Sequence, residues 1–112
     1  MTPLRIRFSK HALNERADRI AYIATTIGFG EVIARKVVED KRGKAIRLLT
    51  DTGVIIVTDI HEECILTMWI ANPTQVKDFY PEGVRNQAVL RLVKKYMEKG
   101  YQNEQDKQKK GN

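Results

Sequence analysis

The sequence predicts an α+β fold, an antiparallel sheet in the order β-α-α-β-β-β-α with its helices packed on one face. Three observations point there. Residues 3–8 alternate apolar and basic side chains, residues 45–71 hold three short runs rich in Val, Ile and Thr, and residues 84–97 carry apolar side chains at helical spacing. Consecutive strands joined by short turns pair antiparallel and need helices to cover an apolar face.

In chain order, Leu4, Ile6 and Phe8 on one side, with Arg5 and Arg7 on the other, make a half-buried strand. Ser9 is placed to cap a helix in which Leu13, Ala17, Ile20, Ala21 and Ala24 form the buried stripe. Gly28 and Gly30 break it. A second helix is expected from Glu31 to Asp40, burying Val32, Ile33, the Lys36 stem and Val37. Lys41–Lys44 reads as a turn. Strands follow at Ala45–Thr50, Val54–Thr58 and Cys64–Ala71, the first two joined through Gly53, which can take a positive φ. Pro73 stops the last strand, and Thr74 is placed to cap a short turn through Val76, Phe79 and Tyr80. Val84, Ala88, Val89, Leu92, Val93, Tyr96 and Met97 then form the longest helical stripe, ended by Gly100.

The 112 residues suit a single α+β domain over residues 1–100, followed by a basic and polar tail at 101–112 that is expected to be disordered. No apolar run approaches the length a membrane span needs, and no signal-type stretch opens the chain. A single cysteine, Cys64, suits a reducing compartment, so a cytoplasmic location is expected. The net charge of +6 is uneven. Residues 1–24 carry five basic and two acidic groups and residues 81–112 eight and four, whereas residues 44–80 carry three and five. Basic ends that meet in space would make the footprint of a polyanion binder; if they stay apart, they only solvate helix faces.

Assuming a two-residue loop at Asp51-Thr52 and a four-residue loop from Ile60 to Glu63, Leu48, Ile55 and Met68 share one face with Ile46, Val57 and Leu66. The opposite face then carries Arg47, Ile56 and Thr67 in one row, Leu49, Val54 and Trp69 in the next, and Ala45, Thr58 and Ile65 on the other side. On that second face Trp69 can stack on a base, Arg47 can hold a phosphate bidentately and Thr67 can hydrogen-bond a substrate. The competing expectation is that a helix or a partner chain covers it.

His11, in the first turn after Ser9, is expected to be exposed and suited to general acid–base work. Arg16 lies about 140° from it on an ideal helix. His61-Glu-Glu-Cys64 offers one short cluster and no second pair of ligands, so no metal and no cofactor is expected. Arg91 and Lys95, one turn apart with Lys94 and Lys99 beside them, form a basic ridge on the last helix.

The element order, the opening Ser9-Lys-His-Ala-Leu-Asn-Glu-Arg16 and the strand Ile65-Leu-Thr-Met-Trp-Ile70 resemble the RelE/ParE-like toxin class, within the barnase, EndoU, colicin and RelE group of ribonucleases, and related phage or mobile-element proteins. The resemblance implies metal-free RNA cleavage or RNA binding on the exposed sheet face. His11, Arg16 and Thr67 would be catalytic, and Lys10, Arg47, Trp69, Arg91 and Lys95 would hold phosphate or nucleic acid. It implies RNA as partner, with an antitoxin or other protein partner as a further one. Two features depart from that class: no histidine follows His61, and the sheet region is net acidic. The alternative is a non-catalytic accessory protein that binds nucleic acid or a protein through the same face. In a third reading, an oligomer buries the Trp69 face against its own copy.

Overall fold

The computed structural model describes residues 7–15, 17–41, 43–79 and 87–100; of Arg7, His11, Glu15 and Asp40 it describes the backbone only. The tail expected at 101–112 lies outside the described residues, as do Val84 and Tyr80. The fold is α+β. Its elements are β1 (Arg7–Phe8), α1 (Lys10–Glu15), α2 (Ala17–Thr26), β2 (Val32–Asp40), β3 (Gly43–Thr50), β4 (Val54–Thr58), β5 (Cys64–Ile70), α3 (Pro73–Lys77) and α4 (Gln87–Glu98). The strands form one sheet in the order β1-β5-β4-β3-β2. β2 to β5 are a continuous antiparallel meander, and β1 joins β5 in parallel at the edge. No helix among the described residues is long and apolar enough to cross a membrane.

One expected helix is a strand. The spacing of Val32, Ile33, Lys36 and Val37 predicts a helix over Glu31–Asp40, but Val32–Asp40 is β2. Four of its nine residues are β-branched, which favours the pleated surface over a helix. Gly28 and Gly30, both at positive φ, isolate it from α2, and the tight turn after Asp40 folds it back onto β3. The element order therefore contains four consecutive strands where three were expected.

The helix expected from Ser9 past Ala24 is two helices, with position 16 outside the described residues. Ser9 caps the first as expected, its hydroxyl accepting from the Ala12 amide at 3.1 Å. Of the stripe that the spacing predicts, Ile20 alone is buried. Leu13 is half exposed and Ala17, Ala21 and Ala24 are exposed, while Ala12, Ile20 and Ile23 are buried. The isoleucines remove more apolar area from water than the alanines, and they set the rotation of α2. Asn72, not Thr74, caps α3: its side chain accepts from the Gln75 amide at 2.8 Å, and the Gln75 side chain accepts from the Asn72 amide at 3.0 Å.

The β3–β4 loop has three residues rather than two, because Gly53 sits at φ +87° and closes the turn by donating to the Thr50 carbonyl at 3.1 Å. Leu49 therefore pairs with Ile55, Leu48 with Ile56 and Arg47 with Val57. The β4–β5 loop starts as expected, with Thr58 opposite Ile65, but a bulge at Leu66 shifts everything beyond it, so Val57 pairs with Thr67 and Ile55 with Trp69. The two one-residue shifts cancel between β3 and β5. Only β4 slides, which exchanges its faces.

The first face now carries Leu48, Ile56 and Met68, with Ile46, Thr58 and Ile65 beside them, and the six are almost completely buried. α1 and α2 contact β5, and Phe8, in register with Ile65, meets the Phe29 ring that follows α2, so this stretch of chain passes over the first face. α3 and α4 sit at the β3–β4 hairpin. The Tyr96 hydroxyl donates to the Thr52 carbonyl at 2.8 Å, and Trp69 on the second face donates to Gln75 of α3.

A β-carbon at Gly53 would stand 2.8 Å from a Val93 methyl group, at a φ that L side chains rarely adopt. Gly53→Ala is expected to cost about 1–3 kcal/mol of stability, read as a lower urea midpoint at an unchanged slope.

Candidate anion-binding face

The second face divides in two. Ala34, Leu49 and Ile55 are buried at the hairpin end, in one row with the half-buried Trp69. The next row runs Lys36, Arg47, Val57, Thr67, and all four are only half buried. This is the open part of the face, and its row holds two cations side by side on adjacent strands.

Arg47 crosses towards β5 and places its guanidinium carbon 5.7 Å from the centre of the Trp69 ring. The indole is itself fixed, its Nε1 donating to Gln75 Oε1 at 3.2 Å. This cation–π contact stabilises the guanidinium by about 0.5–2 kcal/mol depending on solvation. The Nε of Arg47 is nonetheless buried and has no hydrogen-bond partner among the described residues. Neither Lys36 nor Arg47 has an acidic partner there, whereas Arg35 pairs with Glu62 at 2.7 Å. Like charges directly opposite on neighbouring strands cost about 0.2–1 kcal/mol, and an unmet buried donor about 1–3 kcal/mol. An arrangement that costs stability in both ways is suited to receiving an anion from outside.

Arg47, Thr67 and Trp69 are thus brought together on one face, as the sequence led us to expect, although Val57 rather than Ile56 lies between the first two. The indole carries the guanidinium on one side. Lys36 is the member of the row that the sequence does not reveal, because its spacing fits a helix. The signal that identifies it is the pairing of Val37 with Ile46 and Val38 with Ala45, two apolar runs folded about a tight turn. Lys10 is exposed at the start of α1. His11 follows it; its side chain, and all of Arg16, lie outside the described residues. Arg91 and Lys95 are exposed one turn apart on α4, with Lys94 between them.

The His61–Cys64 loop is organised by Asp59. Its carboxylate accepts from the Glu63 amide at 2.7 Å and the Cys64 amide at 2.9 Å. The Cys64 amide above all, and the other loop amides with it, hold the Asp59 pKa below its ordinary value against the opposing effect of desolvation. Among the described residues no three His, Cys, Asp or Glu side chains gather to hold a metal ion.

Comparison with protein-family models, with curated proteins and with solved structures gives no match.

Two outcomes follow from this geometry. Because removing Arg47 relieves both a like-charge contact and an unmet donor, Arg47→Met should unfold at a urea midpoint equal to or above that of the wild type; a loss beyond about 1 kcal/mol would contradict the reading. For Asp59, a lowered folded-state pKa means stability that is present above the unfolded carboxylate pKa and lost as pH falls through the folded one. Asp59→Asn should therefore flatten the acid limb of stability against pH, measured by thermal unfolding, while leaving the neutral limb parallel to that of the wild type.

Proposed function

We propose that this protein is a small RNA-binding domain of toxin-like build that seats a phosphodiester on the Lys36–Arg47 row. The observation that supports this most is the pair of adjacent cations without an acid among the described residues, one of them lying over an indole. A guanidinium can stack on an unpaired base, and its N–H groups donate to phosphate oxygens. Thr67, in the same row, offers a hydroxyl that can both donate to and accept from a ribose 2′-OH. Arg91 and Lys95 on α4 add exposed positive charge for the same backbone.

The reading is binding rather than cleavage. The described side chains of the open row are those of a lysine, an arginine, a valine and a threonine, with no imidazole or carboxylate among them to serve as general acid or base. Metal-free cleavage would draw its proton transfers from His11, with Arg16 and Thr67 at the phosphate.

Fluorescence anisotropy with a labelled single-stranded RNA in EDTA tests this. Binding should weaken linearly with log salt concentration, and Lys36→Ala or Arg47→Ala should each reduce the slope by about 0.7, the share of one phosphate contact on a single strand. Equal binding by wild type and the double variant would overturn the site. No binding at low salt would overturn RNA as the ligand and leave a protein partner for this face. Shortening of the RNA by wild type but not by His11→Ala would show that the domain cleaves what it binds.

A further inference from the structure

Among the described residues β2 is the outer strand of the sheet and pairs only with β3, so one edge of its nine residues has no backbone partner there. Edges of this kind are usually kept short, interrupted by proline or covered. β2 contains no proline and is among the longest strands. Val37, one residue past its middle, is 58% exposed. Arg35 and Glu39, two residues to either side on the same face, are exposed as well.

That triplet is its own complement. When a second β2 runs antiparallel about a two-fold axis through Val37, Arg35 of each copy faces Glu39 of the other, and the two valines face each other. Other centres lose the match. An axis through Lys36 sets the two Lys36 residues together, and one through Val38 sets Val37 against Glu39 and Arg35 against Lys41. Glu39 has no ion-pair partner among the described residues. Arg35 gives one nitrogen to Glu62 and keeps further N–H donors for a second carboxylate. On the other face the two Lys36 residues fall on a diagonal, not opposite one another.

We propose that β2 pairs with β2 of a second copy in this register, joining two five-stranded sheets into one across a two-fold axis at Val37. The assembly stands apart from RNA binding, and its test reads mass rather than ligand.

Sedimentation of the full chain, of 12.9 kDa, should show concentration-dependent dimers. Val37→Lys places two ammonium groups at the axis and should weaken association at least about tenfold, with unchanged circular dichroism. Glu39→Arg should weaken it too, and adding Arg35→Glu to the same chain should restore it. In a Cys64→Ser background, Val37→Cys should oxidise to a covalent dimer and Val38→Cys should not. Wild type monomeric up to its solubility limit, dimers indifferent to Val37→Lys, or cross-linking through position 38 instead of 37 would each overturn the proposal.

Discussion

The three-residue turn Asp51-Thr52-Gly53 is the constraint on which the rest of the arrangement depends. Its length sets which residues of β3 and β4 face each other, and so which side chains share a face. Its polar groups also gather the surrounding chain. The Asp51 amide donates to the Glu31 carbonyl, the Glu31 amide donates to Asp51 Oδ1, and the Ala71 amide donates to the Gly53 carbonyl. Thr50 is fully buried and satisfied: its hydroxyl oxygen accepts from the Val54 amide and lies 3.0 Å from that of Thr52. Since Thr52 donates onward to the Gly28 carbonyl, the shared proton comes from Thr50. One turn thereby ties down the start of β2, the end of β5 and, through Tyr96, α4.

With the turn fixed, the second face becomes a place where local stability and function pull apart. A sheet optimised for stability would set an acid beside Lys36 or replace Arg47 by an apolar residue. Instead the hairpin end of the face is sealed by apolar packing, and the neighbouring row leaves two cations half in solvent with no acid beside them among the described residues. The bulge at Leu66 contributes to this, because it carries Thr67 and Trp69 onto the side where Arg47 lies.

The parts of the fold legible in the sequence are those in which local chemistry and tertiary context agree. β3, β4 and β5 announce themselves through β-branched runs between turn residues, and α4 through its stripe. β2 does not, because Val32, Ile33, Lys36 and Val37 satisfy the spacing of a helix as well as the residue preferences of a strand, and only pairing with β3 decides between them. Misreading β2 hid Lys36 and the exposed Val37 edge. The Arg47–Thr67–Trp69 grouping was legible despite two register errors, since a longer turn and a bulge displace β4 without displacing β3 against β5. The cap of α3 was missed for a simpler reason. Both Asn72 and Thr74 suit the position, and the Gln75 side chain three residues after Asn72 decides for the asparagine.

The central claim is that one cross-strand row, Lys36 to Thr67, is the surface that meets an anionic partner. Titrating a short single-stranded RNA into isotope-labelled protein and following its NMR spectrum tests this most directly. The largest shifts should fall on the amides of Lys36, Arg47, Val57 and Thr67, on the Arg47 Nε–H and on the Trp69 indole N–H. Shifts centred on α1 and α2, with that row unmoved, would contradict it.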